Sequence, residues 1–226
     1  MELDWKVQEL NQPLVIHEKI MDKILYHFAG ENFKEEVTKA KKDFFDNAGI
    51  LDENNEHFEL RMTQFFDWYY FSRQLTGYAQ TPLESAHLTR ELRFVPEEIA
   101  LIAQQKKHYH SIFEFIKLKG DDVYIKDLLK NEKLVVKQSP WIYGFDSDGL
   151  FEARLIPHEN SFIFTRGFCF HPLDAKKYIL SEIKRHRKDP DLNQEQMMLK
   201  LLKMRYRYEQ YRHVKAELIY TNEVLK

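Results

Sequence analysis

Ile112-Phe-Glu-Phe-Ile-Lys-Leu118, Val123-Tyr-Ile125, Leu134-Val-Val136, Leu150–Ile156, Ser161–Phe164 and Gly167–Phe170 decide the fold. Each stretch is short and rich in β-branched and aromatic residues. Turn signals separate them: Gly120-Asp121-Asp122, Asn131-Glu132, Asp146-Ser-Asp-Gly149 and Pro157-His-Glu-Asn160. Five or six such strands joined by hairpin loops predict a strongly curved antiparallel sheet or small barrel.

On both sides of this β region the apolar period changes to that of a helix. Ile16, Ile20, Ile24 and Phe28 recur every four residues, with a start at Asn11 or Gln12 before Pro13 and a stop at Gly30. A second helix carries Phe33, Val37, Ala40 and Phe44 on one face and ends at Asn47-Ala-Gly49, and the loop Asp52–Glu56 follows. The third, Phe58 to Leu75, is apolar nearly all round and belongs at the centre of the helical core. Thr81-Pro82-Leu83-Glu84 reads as a capping box opening a short helix to about Arg90. Another helix starts near Pro96, with Ile99, Ile102 and Ala103 facing inward. Helical spacing returns at Pro172, breaks at Asp189-Pro190-Asp191, and continues as one long helix from Asn193 towards Asn222. The expected class is α+β: a helical region over 1–107, a small antiparallel β region over 108–171, and C-terminal helices over 172–226 that pack back on the body as one unit.

The chain has 226 residues, 43% hydrophobic and 14% aromatic, enough apolar surface to bury a core and to exclude disorder as its main state. A single cysteine, Cys169, lies between Phe168 and Phe170 and reads as a buried, inert thiol. The opening MELDWKVQEL lacks the pattern of a signal peptide, and no apolar run is long enough to span a bilayer, so a cytoplasmic location is expected. The net charge of −2 is uneven. Residues 173–226 carry 13 Lys/Arg against 8 Asp/Glu, and the preceding residues 21 against 28. An acidic body with a basic tail fits either a polyanion partner or packing of the two parts on each other.

Phe65-Phe-Asp-Trp-Tyr-Tyr-Phe71, Thr81-Pro-Leu-Glu84, Ser111-Ile-Phe-Glu-Phe115, Ile125-Lys-Asp-Leu-Leu129 and Gly149-Leu-Phe-Glu-Ala-Arg-Leu-Ile-Pro157 follow one another through roughly half the chain. In that order they resemble the central region of uncharacterised bacterial proteins that often carry a SEC-C zinc motif at one end. The resemblance implies a helical part followed by a β-rich part. Its Cys-rich zinc tail has no counterpart here, so no zinc role is carried over. Trp68 and Phe71 match as core, Pro82 and Glu84 as a cap, Asp127 and Gly149 as turn elements.

Motifs for chemistry are sparse. His108 and His110, two apart, would share a strand face, with His171 or His87 as a third ligand, but no spacing fixes that third and no metal is expected. Asp146-Ser-Asp-Gly149 resembles the start of a calcium loop, yet Glu152 comes too early for the bidentate position, and a hairpin turn accounts for it better. Cys169 has only His171 on its strand face, and neither a nucleophile elbow nor a phosphate-binding glycine loop is present. The expectation is a non-catalytic chain without a cofactor.

The C-terminal helix carries the functional expectation. Met197, Leu201, Met204, Tyr208, Tyr211 and Leu218 form a heptad seam interrupted at Lys215. The seam would dock on the chain's own body, form a dimer, or bind another protein's helix. Around it lie Lys200, Lys203, Arg205, Arg207, Arg212 and Lys215, and before it Lys184, Arg185, Arg187 and Lys188, a set suited to polyanions. The first expectation is therefore a protein-interaction or regulatory module, and the second a single-stranded nucleic-acid binder using the β face and these basic helices.

Overall fold

The computed structural model describes residues 13–50, 56–189, 191–211 and 213–222. The expected helix start at Asn11 or Gln12, loop residues 52–55, Pro190 and Arg212 lie outside them. Helix α1 (Pro13–Phe28) buries Leu14, His17, Ile20, Met21, Ile24 and Phe28; of the expected stripe Ile20, Ile24 and Phe28 are buried and Ile16 is half-buried, and one polar residue, His17, joins it. A 3-10 turn leads into α2 (Lys34–Ala48). Gly49 ends α2 at φ +95, and a Cβ there would fall 2.8 Å from the Tyr206 ring, so both backbone and packing favour glycine. Arg61 of α3 (Phe58–Phe71) satisfies the end of α2, its Nη2 donating to the carbonyls of Ala48 and Gly49 at 2.6 and 3.0 Å.

Helix α3 is the axis of the helical core. Phe65, Tyr69 and Tyr70 are fully buried, and the two tyrosines still satisfy their hydroxyls. Tyr69 Oη donates to the Phe28 carbonyl and Tyr70 Oη to Gln105 Oε1, both at 2.6 Å. The helix stops at Phe71, four residues before the expected Leu75. Thr81 caps α4 (Pro82–Ser85) as expected: its Oγ1 accepts from Glu84 N at 3.2 Å while Glu84 Oε2 accepts from Thr81 N at 2.8 Å. A 3-10 turn carries the chain to Leu88, where Thr89 goes extended, short of Arg90.

In α5 (Pro96–Gln105) the inward stripe is Ile102 and Gln105, while Ile99 and Ala103, expected inside, face outward. The reason is polar: Gln105 finds Tyr70 and His17 as buried partners, so an amide occupies the place that hydrophobicity alone assigns to isoleucine.

The β region forms as read: β1 (Tyr109–Lys119), β2 (Asp122–Asp127), β3 (Glu132–Val136), β4 (Leu150–His158), β5 (Ser161–Phe164) and β6 (Cys169–Phe170). All pairs are antiparallel in the order β3-β2-β1-β4-β5, with β5 and β6 sharing one edge of β4. A register shift between Phe115 and Lys117 helps curl the sheet into a half-barrel. Ser161 spans the gap between the end strands, accepting from Lys137 N at 2.8 Å and donating to the Val135 carbonyl at 3.4 Å. The concave face is lined with rings, among them Phe113, Phe145, Phe151, Phe164 and Phe168, with centroids 5.1–6.3 Å apart.

The convex face of β1 and β4 lies against helices α6 (Lys176–Lys188), α7 (Gln194–Gln210) and α8 (Ala216–Ile219). Strand β4 is consequently buried on both faces from Leu150 to Ile156. The single long C-terminal helix expected from Asn193 to Asn222 is instead two: α7 ends at Gln210, and the chain turns so that Ala216, Ile219 and Tyr220 reach the core around Ile179 and Ile183. Among the described residues no helix is long and apolar enough to cross a membrane.

Candidate functional site

Two features stand out from this frame, an open groove and a buried polar seam. The groove, of about 1120 Å³, runs along α1 on the side that faces α3. Leu14, Met21 and Leu25 project from α1 at helical spacing, and Phe66, Leu92 and Ile156 complete an apolar floor. Its rim is acidic, with Glu18, Asp22, Glu31 and Glu91. Of its two cations, Lys23 is held by Glu98 at 2.8 Å and Arg166 is paired with Glu18 through both Nε and Nη2. Tyr26 stands beside it, 87% exposed.

At one end the groove reaches Asp67, whose carboxylate accepts from Thr165 Oγ1 in a short hydrogen bond. Burial raises Asp67 above the usual carboxylate range, against the hydrogen bond from Thr165 and the charge of Arg154. His17 lies at the same end, pushed down to about 4 by burial and then by His158, with Gln104 pulling the other way.

The polar seam lies between the convex face of β4 and the helices. Period two places Glu152 and Arg154 on that face, and the β1 register sets His110 opposite Arg154. His110 Nε2 is 3.0 Å from Glu152 Oε1, and His110 Nδ1 is 3.7 Å from Glu195 Oε2 in the first turn of α7. Arg154 donates to Ser72 Oγ at 3.0 Å and lies over the Phe71 ring. Burial and Arg154 act to lower His110, but the hydrogen bond to Glu152 and the nearby carboxylate of Glu195 outweigh them and raise it. Burial would raise Glu195, yet His110 and Arg154 hold it down at about 2. Next to His110 and Arg154 a cleft of about 360 Å³ opens past His108 and Lys130 to solvent. On the other side of Glu152 lie Cys169, its register partner on β6, and His171, two residues further along the same face.

A family model described as a family of unknown function (DUF7986) matches residues 11–213. The chain belongs to that family. No curated protein and no solved structure matches it. The family brings no assigned residues, so the candidate site of this member rests on its own geometry.

The residues singled out from the sequence fall in several places. Met197, Leu201 and Met204 are buried against the chain's own α6 and α8, so this part of the seam belongs to the core of the single chain. Tyr208 is half-buried, while Tyr211 and Leu218 lie at the surface, separated by the break after α7. Five of the nine described members of the basic set are engaged by the chain's own groups. Arg187 donates to the carbonyls of Leu128 and Leu129, Arg185 and Lys200 meet Glu182, Lys203 reaches the Asp46 carbonyl, and Arg205 holds Phe170 O and Glu209. Lys184, Lys188, Arg207 and Lys215 are exposed. His87 contacts Lys106 at the surface, and His108 packs on Phe71 with Nδ1 at Gln105 O, so the pair His108/His110 acquires no third histidine from His87. Asp146-Ser-Asp-Gly149 is a turn closed by Gly149 N donating to Asp146 O at 2.9 Å.

Sequence reasoning passed over His17, Asp67, Arg154 and Glu195. Only the alternation Phe151-Glu152-Ala153-Arg154-Leu155 hinted at the seam, and it reads equally as a strand with one face in water.

Proposed function

We propose that this chain is a non-catalytic protein-interaction module and that the groove along α1 is its binding face. The observation that carries this reading is an apolar floor of Leu14, Met21, Leu25, Phe66 and Leu92 under an acidic rim, the pattern a helix-in-groove site offers to a partner's i, i+3, i+4 and i+7 side chains. Charge complementarity makes the partner segment an amphipathic helix with a basic polar face. The nucleic-acid alternative draws less support, because most of the described arginines and lysines it would need are held by the chain's own carbonyls and carboxylates.

The test is titration of the full chain with amphipathic peptides of equal hydrophobicity whose polar faces are basic, neutral or acidic. The basic peptide should bind most tightly, weaken with salt, and lose affinity to the variants Leu25→Arg and Asp22→Lys. Equal binding by all three peptides, or indifference to both substitutions, would overturn the reading.

A further inference from the structure

Glu152, Cys169 and His171 meet where β4, β6 and the C-terminal segment converge. All three are at least nine-tenths buried, and each offers one donor atom within 4.8 Å of the others. The sheet builds this meeting. Glu152 and Cys169 are register partners across β4 and β6, so their side chains leave the same face side by side, and His171 returns to that face two residues later. Their other contacts prepare them as a set. Glu152 Oε1 is taken by His110 at 3.0 Å, whereas Oε2 is buried without a hydrogen-bond partner. Both ring nitrogens of His171 lie 4.0 Å from Cys169 Sγ; Nδ1 is engaged by Tyr220 Oη at 3.0 Å, which leaves Nε2 to bind a metal.

An imidazole fixed through one nitrogen and a carboxylate fixed through one oxygen are the supports that metal ligands ordinarily have. We propose that Glu152, Cys169 and His171 form a divalent-metal site, and that the donor set of thiolate, imidazole and carboxylate selects zinc. A tetrahedral zinc with bonds of ~2.0–2.3 Å separates its donors by about 3.5 Å, so the three side chains close on it by a modest contraction and a water takes the fourth position. On binding, Cys169 Sγ gives up its proton to solvent and bonds the metal, His171 binds as the neutral imidazole, and Glu152 contributes a charge. The dication with thiolate and carboxylate is then neutral overall, which suits a site this deep.

Three arginines lie nearby, and each is held elsewhere: Arg154 donates to Ser72 Oγ. Arg205 Nε donates to the Phe170 carbonyl and its Nη2 meets Glu209, while Arg61 is held by Ala48 O and Gly49 O. Tyr220 closes the site from the turn after α8, so the metal enters as the chain folds and ties the C-terminal segment to the sheet. This goes beyond the groove reading and does not depend on it.

The chain's single cysteine makes the test direct, because any thiolate-to-cobalt charge-transfer absorption must come from Cys169. Full-length protein without a histidine tag, purified from zinc-supplemented cells, should carry about one equivalent of zinc by elemental analysis. The same protein refolded with cobalt(II) should show the charge-transfer band together with tetrahedral d–d bands. His110→Gln, which touches Glu152 but donates nothing to the metal, should weaken binding about 10–100-fold. Cys169→Ser should abolish the band, and the surface variant His87→Gln should retain it. Folded wild-type protein with neither bound metal nor a cobalt band would overturn the proposal. So would metal that stays bound, at unchanged affinity, in both Cys169→Ser and His171→Gln.

Discussion

His17 Nε2 lies 3.2 Å from His158 Nδ1, and the His17 side chain is wholly shut off from solvent. On its other side Gln105 Nε2 donates to the His17 carbonyl at 3.0 Å and approaches Nδ1 at 3.2 Å, while Gln105 Oε1 receives Tyr70. The relationship ties α1, α3, α5 and the end of β4 together through polar atoms inside an otherwise apolar core.

That network makes stability depend on pH. Burial first, and His158 second, lower His17 to about 4, and burial with Arg154 lowers His108 to about 3. Because the folded values lie below the ordinary 6.5, both histidines are neutral in the fold. Their contribution is complete above that value and is lost as pH falls, towards about 4 for His17 and about 3 for His108. The loss from His17 alone is on the order of 3 kcal/mol by pH 4. Urea midpoints measured from neutral pH downward should fall through this window, and His17→Gln should flatten part of the slope. A flat profile would sink the assignment.

Gly167 is the second sensitive point. A Cβ there would sit 2.6 Å from Asp67 Oδ2 and 3.1 Å from its Cγ, in the space where Asp67 receives Thr165. Gly167→Ala should cost about 1–3 kcal/mol by overpacking. A double-mutant cycle with Asp67→Ala should show the two substitutions coupled, whereas simple additivity would mean that the backbone and not the contact sets the cost.

Thr81→Ala removes half of a capping box and should destabilise the chain by about 0.5–2 kcal/mol, with Thr81→Ser close to wild type. Equal losses for alanine and serine would assign the effect to the Thr81 methyl, which is buried with the rest of the residue.

Leu201 and Leu218 belong to one sequence seam but to different environments, one fully buried and the other 59% exposed. Leu201→Ala should cost about 2–5 kcal/mol. Leu218→Ala should stay within about 0.5 kcal/mol. Chemical unfolding paired with sedimentation checks both. A change of oligomeric mass in Leu201→Ala at unchanged stability would put that residue at an interface after all.

How far the sequence could be read follows from which signals are local. The capping box at Thr81, the six strands and the stripe of α1 were visible because each depends on neighbours within a few residues. Gln105 misled because its partners Tyr70 and His17 are 35 and 88 residues away. The C-terminal helix misled because its heptad pattern continues across Tyr211, while the turn there is fixed by the core that Ile219 and Tyr220 enter.

The sequence by itself determined the α+β class, the curl of the aromatic strands and the amphipathic faces of the helices, since period and turn chemistry act along the chain. Only the tertiary structure decided that the second face of β4 is covered. That covering turns Glu152 and Arg154 from ordinary solvent-facing residues into buried charges, and brings Cys169, His171, Glu195 and His110 around them. The physical reason is that alternation marks which residues share a face, but not whether water or another layer of protein lies against it.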